Sequence, residues 1–300
     1  MTKGKGKRIV IALFVGVLVL ACLFCAKKWQ ENHEGWKVTQ YACASGSQAM
    51  FYSLVNRRDG TVILIDSGNP QNAEQVSEVI KQNGGHVKAW FLTHYHMDHI
   101  GAFNEVWEQW KDNIETIYVT PLPYEVFEPR AHEWDTPEVF ARFLELTQNN
   151  TNIVALHRGD SFDIDGLGIQ VFNAYDEFVE QYATDVANDS SLVLKFSGKE
   201  NSFLFLGDLS RAGVPLGEFI LEQFGVENVR ADFVQPGHHG NWGLPIEFYE
   251  RLQPKEMFFD APEWLMTGEQ FDARYLEAWC KENGIITHDY REGPSTVILK

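Results

Sequence analysis

Cysteine and positive charge are both scarce in this sequence. Four cysteines serve 300 residues, and two of them, Cys22 and Cys25, lie inside one apolar run, so no disulfide framework holds the chain together. Cys43 and Cys280 remain, as a pair or as two buried thiols, and sequence alone does not give their separation. Lysine and arginine number 25 against 42 aspartates and glutamates. Four of the basic residues precede the apolar run, which leaves 21 for the remainder and a net charge near −21 there. Nonspecific nucleic-acid binding needs basic residues to neutralise phosphates, so a nucleic-acid partner is disfavoured and a small or cationic substrate fits better. Low-complexity stretches and simple repeats are also missing, and the length suffices to bury a sizeable core.

The one long hydrophobic run is Ile9 to Ala26, 18 residues without a charge, with Lys3, Lys5, Lys7 and Arg8 before it and Lys27 and Lys28 after it. As a helix it would rise about 27 Å, close to the ~30 Å thickness of a bilayer core. Residues 1–8 therefore read as a basic cytoplasmic tail, 9–26 as a transmembrane anchor, 27–35 as a linker and 36–300 as a domain outside the cytoplasm. Two alternatives stay open: a cleaved signal peptide, or a lipoprotein, since Val19-Leu20-Ala21-Cys22 loosely resembles a lipobox.

Beyond residue 35 the hydrophobic period changes repeatedly. Ala49 to Val55 and Val62 to Asp66 read as a hairpin across Asn56-Arg57-Arg58-Asp59-Gly60. Ala73 to Gln82 has helical spacing, Val87 to Thr93 reads as a buried strand, and helices follow at Ala102 to Lys111 and Pro137 to Gln148. The second half repeats the vocabulary, with strands at Ser161 to Ile164, Gly168 to Phe172, Ser191 to Phe196 and Phe203 to Leu206, and helices at Glu218 to Phe224 and Glu269 to Glu282. Strands alternating with isolated helices suggest an α+β chain of two packed sheets with helices outside, although period alone fits an open α/β sheet as well.

The strongest motif is His94-Tyr95-His96-Met97-Asp98-His99, directly after the buried strand. Three imidazoles and a carboxylate in six residues are poor structural material and good ligands for a borderline divalent metal. Random placement of ten histidines would produce this pattern on the order of once in a thousand such sequences.

This run resembles the signature of the metallo-β-lactamase superfamily, and further matches lie in that family's order. Leu64-Ile65-Asp66-Ser67-Gly68 resembles its first motif, Phe203-Leu204-Phe205-Leu206-Gly207-Asp208 its strand-borne Gly-Asp, and Gln235-Pro236-Gly237-His238-His239-Gly240 its terminal histidine motif. With Asn188-Asp189-Ser190-Ser191, the pattern is similar to the ComEC-like and phosphorylcholine esterase-like branch. Two departures stand out: Asn188-Asp189 where many members carry a histidine, and Ala44 to Ala49 where ComEC relatives carry a Gly-x-Gly-Asp-Ala turn.

The resemblance implies a four-layer αββα sandwich, preceded here by the N-terminal membrane helix, and two divalent ions, zinc or else manganese. His94, His96 and Asp208 would hold one ion, and Asp98, His99, Asp208 and His238 the other. Asp98 and Asp208 would then serve catalysis, with His239 touching the phosphoryl oxygen or protonating the leaving group. Asp66 would orient a ligand histidine, and Asn188 and Asp189 would face metals or substrate. His157 is taken as a strand-end residue. Trp242 and Trp134 are candidate pocket walls that could grip a quaternary ammonium, while Trp107, Trp110 and Trp264 read as packing. The expected activity is hydrolysis of a small-molecule or cell-envelope phosphodiester; a ComEC-like nuclease, or a surface module that binds metal without turnover, are the alternatives.

Overall fold

A computed structural model of the chain describes residues 33–43, 45–211 and 215–300. The expected membrane segment, 9–26, and the preceding tail lie outside the described residues; among those described, no helix is long and apolar enough to cross a membrane.

Two seven-stranded sheets form the centre. The first contains β1 (Trp36–Gln40), β2 (Phe51–Asn56), β3 (Val62–Asp66), β4 (Ala89–Leu92), β5 (Ile117–Val119), β6 (Ile153–Ala155) and β14 (Thr296–Leu299), in the order β14-β1-β2-β3-β4-β5-β6. The second contains β7 (Ser161–Ile164), β8 (Leu167–Asn173), β9 (Val193–Ser197), β10 (Ser202–Phe205), β11 (Phe233–Gln235), β12 (Glu256–Phe258) and β13 (Ile286–His288), in the order β13-β12-β11-β10-β9-β8-β7. β14, the last strand of the described chain, pairs antiparallel with β1 and closes the first sheet.

Side chains alternate across each strand, which gives every central strand two apolar faces. Ile63 and Ile65 of β3 join Tyr52, Phe91, Leu194, Phe196, Phe203 and Phe205 in the core between the sheets. Val62 and Leu64 point the other way, into a core shared with the helices. On that side lie α1 (Ala73–Gln82), α2 (Met97–Trp110) and α3 (Pro137–Thr147); α4 (Leu216–Phe224) and α5 (Asp272–Glu282) cover the second sheet. The expected sandwich of two sheets with outer helices is what folds.

One boundary that matters for the site differs from the sequence reading. The helix expected from Ala102 begins at Met97, so half of the histidine motif is its first turn, where Asp98 is favoured by the helix dipole. Gly101 fits this turn because a Cβ there would meet Pro70 Cδ at 2.5 Å. Cys43 and Cys280 are both free and buried.

Candidate metal centre

β3, β4 and β5 run parallel, as do β10, β11 and β12, so their carboxyl ends collect at one edge of the sandwich. β3 delivers Asp66, β4 leads into Thr93 and His94, β10 into Gly207 and Asp208, and β11 into His238 and His239. Asp66, His238 and His239 each take a left-handed backbone conformation, with φ of 51°, 51° and 56°. Residues other than glycine hold that conformation at a cost of roughly 1–3 kcal/mol, which the surrounding packing offsets and which concentrates at functional sites. Gly207, at φ 54°, turns the chain where a Cβ would meet the Ser191 side chain at 2.8 Å.

Two groups of donors converge there. Asp98, His99, Asp208 and His239 form one, His94, His96 and Asp208 the other, with the ligand atoms of each group all within 4.8 Å of one another. Asp208 belongs to both. His239 Nε2 lies 3.2 Å from both Asp98 Oδ2 and Asp208 Oδ2, and His99 Nε2 lies 3.1 Å from Asp208 Oδ1.

His238, expected as the last ligand of the second group, lies outside both groups: its Nε2 is 4.0 Å from Asp208 Oδ2 and its side chain reaches the open cleft. The left-handed turn at the two histidines buries His239 and leaves its neighbour at the surface of the site. The two histidines have therefore exchanged the positions expected of them.

Several buried atoms of the cluster make no well-formed hydrogen bond: His94 Nε2, and His99 Nε2, Asp208 Oδ1 and His239 Nε2, which approach one another only as ion pairs. Polar atoms left unpaired in a protein interior are costly, and so many converging on one point fit a cation. The donor chemistry, imidazole with carboxylate, suits zinc, iron and manganese.

Electrostatics keeps the carboxylates charged. Burial pushes the Asp98 and Asp208 carboxyls up, but the imidazoles of His239 and His99 outweigh it and hold both well below the usual range. Burial lowers His99 and His239, and the neighbouring carboxylates, Asp208 foremost, more than reverse this, lifting His239 to about 10. His94 has less carboxylate around it, and burial holds it well below its ordinary value.

A second layer of carboxylates aims the rings. Asp66 accepts from Thr93 N at 2.7 Å and Thr93 Oγ1 at 2.6 Å, and lies 2.6 Å from His99 Nδ1. Asp135 Oδ1 lies 2.6 Å from His96 Nε2, which leaves Nδ1 of that ring for a ligand. Gln48 Nε2 donates to Asp98 Oδ2 at 3.0 Å. Asp135 and Gln48 were not found by sequence reasoning, because each joins the site from a distant loop with no local motif.

Asn188 and Asp189 part company. Asn188 lines the cleft, its Nδ2 donating to Asp185 Oδ2 at 2.8 Å and its Oδ1 buried without a partner. Asp189 turns away and accepts from Ser210 Oγ at 2.9 Å, so it faces neither group of donors.

The cleft over the cluster holds about 470 Å³ and is lined by Asn188, His96, Asp98, Asp208 and His238, with Met97, Trp134 and Trp264 among its apolar contributors. Trp264, read from sequence as packing, is thus a wall, with Nε1 donating to Gly46 O at 3.2 Å. Trp242, read as a wall, instead lies against Arg211, whose guanidinium carbon is 5.6 Å from the ring centroid. Trp134 stacks on His132 with centroids 4.5 Å apart. His157 stays at the surface, away from the cluster.

Comparison with known proteins agrees with this arrangement. Among curated proteins, "Probable metallo-hydrolase YflN" of Bacillus subtilis (strain 168) is 43% identical over 65 residues, 21% of this chain and 24% of that protein, so the match spans only a quarter of the relative. Among solved structures, CmlA, a diiron β-hydroxylase from Streptomyces venezuelae, is similar with a TM-score of 0.57 at 14% identity, over 89% of this chain and 54% of that one. The metallo-β-lactamase fold protein YhfI from Bacillus subtilis gives a TM-score of 0.53 at 13% identity, over 88% of this chain and 100% of that one. At such identities the structural likeness shows the fold. The profile of the Metallo-beta-lactamase superfamily matches residues 51–259, from β2 through β12, and the chain belongs to that superfamily.

Proposed function

We propose that this metallo-hydrolase is a phosphodiesterase for a small-molecule or cell-envelope ester, held outside the cytoplasm by its N-terminal segment. The observation that carries the reading is Asp208, shared by two groups of donors beneath an open cleft. Two divalent cations bound at such a site would supply Lewis acidity and a water of lowered pKa. The resemblance of Asn188 to Ser191 and of His238-His239-Gly240 to the phosphorylcholine esterase-like branch supports phosphorus over a lactam.

The chain's own residues divide the work. Asp98, His99 and His239 would hold one cation and His94 and His96 the other, and Asp208 belongs to both groups of donors. Asn188 completes the His94 and His96 group: a carboxylate can only accept, so Asp185 fixes which end of the amide is nitrogen and leaves the oxygen as a donor for a cation. His238 takes the substrate-facing role, and burial lowers its pKa, which keeps the ring neutral and able to accept or pass a proton. None of the described residues lining the cleft is lysine or arginine, which favours a small substrate over a polyanion. Trp134 and Trp264 suit an apolar or quaternary ammonium group on that substrate.

The reading is tested by loading purified protein with zinc or manganese and assaying phosphodiester, thioester, β-lactam and single-stranded DNA substrates. Phosphodiester turnover that disappears with chelator is expected; turnover confined to another class would overturn it.

A further inference from the structure

The described chain enters the fold at the end of the sandwich opposite the metal cluster. β3 finishes at Asp66 beside the cluster; β2 runs antiparallel to β3 and β1 antiparallel to β2, so β1 starts at the far end, where Trp36 pairs with Asn56 and with Leu299 of β14. The second sheet turns at the same end. β10 leads toward Asp208, β9 runs antiparallel to β10 and β8 antiparallel to β9, which places the turns at 165–166 and 198–201 with Trp36 and away from Asp208. Glu34 is fastened there from both sheets: its backbone carbonyl accepts from Arg57 Nη1 at 2.8 Å and its Oε1 lies 2.9 Å from Lys199 Nζ. Arg57 N also donates to Gly35 O at 3.0 Å.

A cavity of about 290 Å³ opens at this end, with Arg58, Lys199 and Lys300 in its lining alongside Glu34 and Asp165. Acids and bases balance there, in a chain with 42 acidic residues and 25 basic ones, and the Arg58 and Lys199 side chains are 70% and 81% exposed. The cleft is the contrary case, lined by Asp98 and Asp208 without a lysine or arginine. An anionic bilayer surface therefore repels the far end much less than it repels the cleft. Chain length sets the orientation. Six residues, two of them Lys27 and Lys28, separate the apolar run ending at Ala26 from His33, and fully extended they reach at most about 25 Å. A globular domain of this size is roughly 45 Å across. The connection is too short for the molecule to turn over and bring its cleft to a membrane that holds the apolar run.

We infer that the end bearing Arg58 and Lys199 rests on the anionic headgroup surface of the membrane holding the N-terminal segment, so that the metal cleft faces away from that bilayer. The inference rests on the reading of residues 9–26 as an anchor, and it narrows the substrate. An ester cleaved in this cleft is carried clear of the bilayer, free in solution or on a polymer, and is not a phospholipid of the anchoring membrane. The cleft walls Trp134 and Trp264 then meet a group of that ester rather than acyl chains.

Hydrogen–deuterium exchange of the full chain, loaded with zinc and placed in lipid nanodiscs, tests it. In discs containing phosphatidylglycerol, amides at 57–61, 165–168 and 198–201 should exchange several-fold more slowly than in discs of phosphatidylcholine alone, while those at 94–99, 131–136 and 237–242 exchange alike in both. Arg58→Glu combined with Lys199→Glu, both at exposed positions, should erase the difference and leave hydrolysis of soluble bis-p-nitrophenyl phosphate unchanged. Phosphatidylglycerol is itself a phosphodiester, and the disc lipid should stay intact. Slowing at the cleft segments, no slowing at the turns, or cleavage of the disc lipid would overturn the inference. A chain that joins neither kind of disc removes the anchor and the inference together, whereas one that docks as described and hydrolyses no soluble phosphodiester removes only the proposed activity.

Discussion

Asp66 Oδ2 lies 2.6 Å from His99 Nδ1 with both side chains fully buried, and the same imidazole brings Nε2 within 3.1 Å of Asp208 Oδ1. The end of β3 and the end of β10 are thus joined through one ring. Asp66→Ala would strip Thr93 N, Thr93 Oγ1 and His99 of their acceptor at once. Removing one member of a buried pair costs about 3–5 kcal/mol, so urea denaturation of the metal-free variant should show a loss of that order. An unchanged midpoint would show that the pair is not structural.

Asp208 serves both groups of donors, so its loss should not be half a loss. Elemental analysis of Asp208→Ala should find both cations depleted, and hydrolysis should fall by roughly three orders of magnitude or more. A variant that keeps one full equivalent would refute the sharing.

If Asn188 completes the His94 and His96 group as proposed, it offers a neutral amide oxygen where an imidazole would bind zinc more strongly. Asn188→His is therefore expected to tighten zinc at the His94 and His96 position, and Asn188→Ala to loosen it. Both are read by chelator competition without substrate present. Equal affinities across the three chains would leave Asn188 as a substrate contact.

Burial pushes the Asp189 carboxyl up to about 7, against the opposing hydrogen bond from Ser210. Between pH 4 and 7 the folded chain then keeps a proton that the unfolded chain has released, so this group's contribution is fully present below about pH 4 and is lost as pH rises toward 7. Asp189→Asn should remove that slope and stabilise the metal-free chain at neutral pH by at most about 4 kcal/mol. Denaturation of both chains from pH 4.5 to 7.5 checks it; parallel curves would count against a protonated Asp189.

Trp134 and Trp264 are more than half and about half exposed at the cleft, and Trp134 is braced by His132. If they hold a quaternary ammonium, each contributes about 0.5–2 kcal/mol. Trp134→Ala and Trp264→Ala should then raise KM for a choline ester several-fold while leaving its uncharged dimethylbutyl analogue less affected. Equal effects on both substrates would point to apolar contact alone.

What could be read from sequence was whatever is written locally. The strand Val62–Asp66, the helix Ala73–Gln82 and the strand Ser161–Ile164 each begin and end where periodicity and turn residues place them. The histidine motif was legible because its members are neighbours in the chain. Asp135 and Gln48 were not, since each is one polar residue among many until folding brings it against an imidazole or a carboxylate. The exchange of His238 and His239 depended on left-handed backbone at both residues, which composition does not announce. Conversely, the start of α2 was hidden by the motif itself, whose ligands look like loop residues and occupy a first helical turn.

His94, His96, Asp98 and His99 follow β4 of the first sheet, the last two in the first turn of α2, while Asp208 and His239 follow β10 and β11 of the second. A cation gripped by both sets fastens the halves of the molecule to each other, as a crosslink would, in a chain whose Cys43 and Cys280 are both free. Such a fastening can be undone and remade without redox chemistry. Supply of the ion would then govern how long the folded protein survives proteases, independently of how fast it turns over substrate.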